Sequence, residues 1–179
     1  MMLYLIGYLF LIFLLLIFLF LMSVYTLSLI YSSAMGSPYV ATRKKRIEEI
    51  LEGAQLKKGK SFVELGCGDG RIVRTAVKLY KVKGTGIDIN PLLIFWAKLL
   101  GKKGIDFKVK NIFDTDLTKA DYVYIFLMPK LIKKLSIRMD NELKKGAIVI
   151  SHGFDIEDWK KRLIKTKKTI PFPTYYYKI

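Results

Sequence analysis

The stretch Glu64-Leu65-Gly66-Cys67-Gly68-Asp69-Gly70 constrains the fold of this chain more than any other part. It follows an apolar, strand-like run, Ser61-Phe62-Val63, and leads directly into a helix-like run, Arg71-Ile72-Val73-Arg74-Thr75-Ala76-Val77. Three alternating glycines let the backbone turn tightly and approach a bound molecule, because no Cβ intervenes. A strand, a glycine turn and a helix N-terminus make a nucleotide-type binding edge, the hallmark of an open α/β sheet. Asp88 follows in Gly84-Thr85-Gly86-Ile87-Asp88-Ile89-Asn90-Pro91. A carboxylate ending the next strand is placed to accept hydrogen bonds from ribose hydroxyls.

The loop departs from a dinucleotide fingerprint, which wants a glycine or alanine three positions after the second glycine. Arg71 stands there, and Gly70 comes one place early. Asp69 inside the loop and Glu64 ahead of it would repel a pyrophosphate and suit a cation. The pattern resembles motif I of the seven-strand S-adenosylmethionine-dependent methyltransferases, whose cofactor is a sulfonium with a ribose and no phosphate. The other reading, a glycine-rich turn in an unrelated α/β protein, does not explain the position of Asp88. The resemblance implies S-adenosyl-L-methionine held by Glu64, Gly66, Cys67, Gly68, Asp69 and Gly70, then by Asp88, Ile89 and Asn90. It places Asn111 and Ile112 at the adenine, where an Asp is usual. Cys67, the single cysteine, excludes an internal disulfide and any multi-Cys metal site, and reads as a small filler in the loop.

Residues 1–42 contain no Lys, Arg, Asp, Glu or His, and Leu3 to Ile30 are almost all apolar. About 20 such residues cross a bilayer core. Ser33-Ala34-Met35-Gly36 loosely resembles a signal-peptide cleavage site. Against cleavage, a basic n-region is missing and the run far exceeds an h-region of roughly 7–15 residues. The expected organisation is a membrane anchor over 1–35, a linker and helix over 36–60, and a catalytic domain over 61–179. Arg43-Lys44-Lys45-Arg46 just after the span predicts that the domain lies on the cytoplasmic side.

All 31 basic and 15 acidic side chains fall after position 42, giving that part the whole net charge of +16. Lysine pairs such as Lys57-Lys58, Lys144-Lys145 and Lys167-Lys168 spread the excess. Beside an anchor, this surface points to anionic lipid before nucleic acid.

Alternating apolar runs predict helices over 43–54, from Arg71, from Pro91, from Pro129 and over Asp155–Leu163. Strands are expected at Ser61–Leu65, Gly84–Ile89, Ile105–Val109, Asp121–Leu127 and Gly146–Ser151, with a terminal hairpin after Lys165. Thr42 is positioned to cap the first helix of the domain. Leu92, Phe95, Trp96, Leu99 and Leu100 are expected to pack the helix after Pro91. The fold class is α/β: a Rossmann-like seven-strand methyltransferase sheet with helices on both faces, preceded by one transmembrane helix. Its switch point lies between the first and fourth strands.

After the fourth strand comes Phe126-Leu127-Met128-Pro129, not the Asp/Asn-Pro-Pro-Tyr typical of amino-methylating nucleic-acid enzymes. Three segments together resemble one family: Pro38-Tyr39-Val40-Ala41-Thr42 after a span, the glycine loop with Arg71-Ile72-Val73, and Asp88-Ile89-Asn90-Pro91. The chain looks like a prokaryotic relative of the mitochondrial lysine methyltransferases that modify ATP synthase subunit c and the adenine nucleotide translocase. That resemblance implies methylation of a lysine on a membrane-associated protein. Asp88 stands where the family commonly has Glu. Small-molecule, lipid or RNA methylation and a non-catalytic binding role are the alternatives. Tyr39, Thr42, Phe126 and Pro129 are expected to position the substrate, with Tyr175-Tyr176-Tyr177 as further candidates for an aromatic mouth. Alternation along a terminal strand is the other account of those tyrosines. His152, the only histidine, reads as a surface or edge group.

Overall fold

The computed structural model describes residues 1–34, 42–101, 104–168 and 170–179. A long apolar helix, α1 (Met2–Ala34), precedes the domain. α2 (Lys44–Gly53) leads to β1 (Ser61–Leu65) and α3 (Arg71–Tyr80). β2 (Lys83–Asp88), α4 (Pro91–Leu99), β3 (Ile105–Val109) and β4 (Tyr122–Ile125) follow. α5 (Pro129–Glu142), β5 (Ile148–His152), β6 (Leu163–Lys167) and β7 (Thr174–Lys178) complete the chain.

The seven strands form one sheet in the order β3-β2-β1-β4-β5-β7-β6. β1 to β5 are parallel, and β7 runs antiparallel between β5 and β6. The chain leaves β1 for β2 on one side and later returns to β4 on the other, which opens a crevice at the strand C-termini. All four residues of β4 are buried, as expected for a central strand covered on both faces.

One core joins Phe62, Tyr124 and Tyr176 to Ile47, Ile50 and Leu51 of α2, Val73 and Ala76 of α3, and Ile94 and Ala97 of α4. The other joins Val63, Val123, Val149 and Tyr177 to Ile132, Leu135 and Met139 of α5 and to Trp159. Tyr176 and Tyr177 thus enter opposite cores by strand alternation, and neither reaches a cavity mouth.

Several expectations are corrected. α4 buries Leu93, Ile94 and Ala97, while Phe95, Trp96, Leu99 and Leu100 face outward. The helix is apolar on nearly every side, so periodicity could not identify its inner face. α2 starts from Arg43 with no side-chain cap, and the Thr42 carbonyl instead accepts a hydrogen bond from Arg71 Nη1. His152 is buried: its Nδ1 lies 2.8 Å from Thr174 Oγ1, and its ring packs edge-on against Phe126. Burial, with a lesser contribution from the charge of Arg46, pushes its pKa down to about 4, so it is neutral at pH 7. The short helix expected over Asp155–Leu163 is a 3₁₀ helix confined to Glu157–Arg162.

Candidate active site

A cavity of about 310 Å³ opens at the C-terminal ends of β1, β2 and β4. Its floor is the glycine loop. Gly66 and Cys67 both donate to the Ile87 carbonyl, at 2.8 and 2.9 Å, tying the loop to β2. Gly70 has φ +73°, and a Cβ there would meet the Phe107 ring at 2.3 Å. Only glycine fits both the left-handed backbone and the space.

Asp88 holds the loop from the next strand. Its Oδ2 accepts from Gly68 N and its Oδ1 from Asn90 N, each at 2.8 Å. Burial raises its pKa against the lowering effect of these backbone hydrogen bonds. Glu64 is buried beneath the loop and accepts from Val73 N at 2.9 Å. Burial lifts its pKa well above the usual carboxylate range, the Val73 bond opposes this, and Asp69 and Asp88 add to the rise. Burial also favours the neutral form of Asp69, but the hydrogen bonds and charge of Arg71 outweigh it and hold the pKa low. Arg71 Nε reaches both Asp69 oxygens, at 3.0 and 3.1 Å, and Nη2 lies 2.8 Å from Oδ2. The Asp69 charge is therefore largely neutralised by Arg71 within the loop, whereas Glu64 and Asp88 are held chiefly by backbone N–H groups.

Tyr124 stands beside Glu64 in register across β1 and β4. Tyr124 lines the cavity, and its hydroxyl is, among the described residues, the buried side-chain polar atom without a hydrogen-bond partner. Burial, then the neighbouring Glu64, keeps this phenol protonated. An orphaned donor beside a carboxylate suits a ligand bearing both an acceptor and a cation. The amino and carboxyl groups of S-adenosylmethionine meet that requirement.

The remaining lining is mostly apolar. Ile89, Ile112, Phe113, Phe126, Leu127, Met128, Leu131 and Phe154 contribute to it. Asn111 lines the cavity, and its Oδ1 caps the turn Ile112–Asp114 by accepting from Phe113 N at 3.0 Å. The Nδ2 donor end is the one left for a ligand, where an Asp would offer only acceptors.

Of the expected site residues, Thr42, Glu64, Gly66, Cys67, Gly68, Asp69, Asp88, Ile89, Asn111, Ile112 and Phe126 line this cavity. Gly70, Asn90 and Pro129 are not among its lining residues. Gly70 shapes the loop, Asn90 is a buried bracket, and Pro129 occupies the first position of α5. Tyr39 lies outside the described residues.

Sequence reading missed Ser32, Leu93, Tyr124, Leu131 and Phe154, all of which line the cavity. Tyr124 was accessible in principle, once β1 and β4 are set side by side in register. Ser32 was not, because it comes from α1. Asn90 Nδ2 donates to the Ser28 carbonyl at 2.9 Å and to Ser32 Oγ at 2.7 Å, while Ser28 Oγ donates to Asn90 Oδ1. Ser28 and Ser32 are four residues apart and share one helix face. The same Asn90 caps α4 by accepting from Leu92 N and Leu93 N. A continuous chain of hydrogen bonds thus joins α1 to Asn90, Asp88 and Gly68. Removing both hydroxyls (Ser28→Ala with Ser32→Ala) is expected to weaken S-adenosylmethionine binding about tenfold, from bonds worth about 0.5–1.5 kcal/mol each. Calorimetry checks this. Unchanged affinity would show that the latch is independent of the cavity.

Residues 64–163 match the model of the ANTKMT methyltransferase domain. The chain is 36% identical over 137 residues to a protein-lysine N-methyltransferase of Saccharolobus islandicus (strain REY15A), covering 73% of this chain and 85% of that one. It is 30% identical over 128 residues to the adenine nucleotide translocase lysine N-methyltransferase of Mus musculus, covering 69% of this chain. It spans only 56% of the mouse protein's length. Among solved structures, the RNA methyltransferase of Salinibacter ruber in complex with S-adenosyl-L-homocysteine superposes with a TM-score of 0.73 at 29% identity, covering 78% of this chain and 94% of that one. With the seven-strand sheet and the glycine-loop cavity already in place, the chain belongs to the ANTKMT methyltransferase-domain family, enzymes that use S-adenosylmethionine as methyl donor.

Proposed function

We propose that the chain is anchored in a membrane through α1, with its catalytic domain on the cytoplasmic side, and methylates a lysine amine of a protein at that membrane. The observation that carries this reading is the latch of Ser28 and Ser32 on Asn90, which brings the end of α1 to the edge of the cofactor cavity. Within Tyr4–Ser33 an 18-residue stretch reaches a mean hydropathy of 3.1, and the segment carries no charged side chain. Arg43-Lys44-Lys45-Arg46 supports the cytoplasmic assignment. The lysine acceptor is supported by the lysine N-methyltransferase activity of the Saccharolobus and mouse relatives.

In this reading the backbone of Gly66, Cys67 and Gly68 cradles the methionine part of the cofactor. Glu64 and Tyr124 face its amino and carboxyl groups. Asp88 holds the ribose. Ile89 and Ile112 flank the adenine, and Asn111 Nδ2 donates to its edge. Bound cofactor supplies a methyl group already activated by the sulfonium, so the protein's task is to orient an in-line attack. A lysine must arrive as the neutral amine. Phe113, Phe126 and Phe154 form an apolar approach that disfavours the ammonium and lowers its pKa. Thr42, at the cavity rim, and the turn from Phe126 to Pro129 position the incoming side chain.

RNA methylation is the second reading, favoured by the Salinibacter neighbour and the net charge of +16. The segment Leu127-Met128-Pro129 opposes it, offering no carboxylate or amide to an exocyclic amine. Membranes from cells lacking the gene should be incubated with the full chain and tritiated S-adenosylmethionine, then separated into protein, RNA and lipid. Label is expected in protein, on a lysine identified by mass spectrometry. Label confined to RNA or to the lipid extract overturns the lysine reading.

A further inference from the structure

The outer face of α4 is strongly apolar. Phe95, Trp96, Leu99 and Leu100 are 58, 43, 63 and 54% exposed, whereas Leu93, Ile94 and Ala97 are packed in the core. A helix apolar on both sides is unsuited to water on its outer one. Both ends of α4 indicate what covers it. At the N-terminal end, Asn90 is the residue on which α1 is latched. At the C-terminal end, Leu100 lines a second cavity of about 380 Å³ together with Lys44, Arg71, Arg74 and Lys78. Asp69 is the carboxylate there, and it is held by Arg71.

The dimensions of α1 agree. Its 33 residues span about 50 Å, against a hydrocarbon core of about 30 Å. Its final turns therefore extend to headgroup level, where α4 begins. Tryptophan favours that depth, and basic side chains favour the anionic phosphates beside it.

We propose that α4 lies on an anionic phospholipid surface. Phe95, Trp96, Leu99 and Leu100 enter the acyl boundary, and the cleft of Lys44, Arg71, Arg74 and Lys78 takes lipid phosphate groups. The proposal rests on the reading of α1 as an anchor and goes beyond it. A single latched helix leaves the tilt of the domain against the bilayer open; a second contact fixes that tilt and aims the cavity mouth along the bilayer.

The chain has two tryptophans, and the other, Trp159, is buried in the core. The full chain should be reconstituted in phosphatidylcholine vesicles, with and without phosphatidylglycerol, using lipids brominated on the acyl chains as quenchers. Trp96→Phe supplies the blank. Quenching is expected in the unaltered protein, absent from the blank, and stronger with phosphatidylglycerol. That anionic gain should disappear in Lys44→Ala with Lys78→Ala. Equal quenching of the blank and the unaltered protein overturns the proposal. So does a Trp96 signal that changes only when a protein acceptor is added, which would make the face a substrate-docking surface. Alkaline carbonate separates the two layers of the reading. Release from the vesicles sinks the anchor and this proposal together, whereas retention with an unquenched Trp96 removes this proposal alone.

Discussion

Asp88→Ala is expected to abolish S-adenosylmethionine binding and with it all methyl transfer. Asp88 accepts from both Gly68 N and Asn90 N. Its removal leaves two buried donors unpaired, at about 1–3 kcal/mol each. Gly68 then loses its tie to β2, and Asn90 loses the bond that aligns it with α1 and α4. A general loss of stability would also reduce binding, so Asp88→Asn is the informative companion. The amide keeps the shape and one acceptor, so the fold should survive, with a melting temperature lowered by a few degrees. Calorimetry should nevertheless show affinity reduced at least tenfold, because the ribose loses a charged acceptor worth about 1.5–3 kcal/mol. An Asp88→Asn protein that binds as tightly as the parent would remove Asp88 from the cofactor site.

Glu64→Gln is expected to separate stability from binding, moving them in opposite directions. The folded pKa of Glu64 is raised, chiefly by burial. Its contribution to stability is therefore complete below the unfolded value of about 4.3 and is lost as pH rises through the folded value. The free protein should weaken across that window. In Glu64→Gln the titration is gone, so the free variant should keep its melting temperature where the parent loses it as pH rises through the folded value. The amide oxygen still accepts from Val73 N.

Binding carries the opposite sign. A cationic ligand favours ionised Glu64, so parental affinity should increase with pH over the same window and protons should be released on binding. Titration in two buffers of different ionisation enthalpy measures that release. Glu64→Gln should bind about ten- to a hundredfold more weakly, with a flat pH profile, from the loss of one charge-assisted hydrogen bond of about 1.5–3 kcal/mol. Unaltered affinity and an unaltered profile would exclude Glu64 from contact with the cation.

Local chemistry made much of this arrangement readable in advance. The glycine loop between Val63 and Arg71 could only be a tight strand-to-helix turn. Asp88 at the end of the next strand then placed the cavity edge at the carboxyl ends of β1 and β2. Where the reading failed, the residues were ambiguous in kind. Phe95, Trp96, Leu99 and Leu100 are as apolar as Leu93, Ile94 and Ala97, and composition alone cannot distinguish a core face from a face turned outward. Thr42 has the chemistry of a cap, yet α2 begins without a side-chain cap and the Thr42 carbonyl serves Arg71. His152 is polar enough for the surface but is enclosed by Phe126, Phe172 and Thr174.

By itself the sequence determined the class of the sheet, the glycine loop, the acids at its edge and the presence of a long charge-free helix. Each of these depends on neighbours along the chain: strand and helix periods, turn geometry, and the cost of placing charge in hydrocarbon. Tertiary structure alone decided which acid remains available, since Asp69 is paired with Arg71 while Glu64 is buried beside an unpartnered Tyr124. It also joined α1 to the cavity, through hydrogen bonds between Ser28 and Ser32 and a residue some sixty positions away. No local pattern encodes such a pairing, because only packing brings those groups within reach.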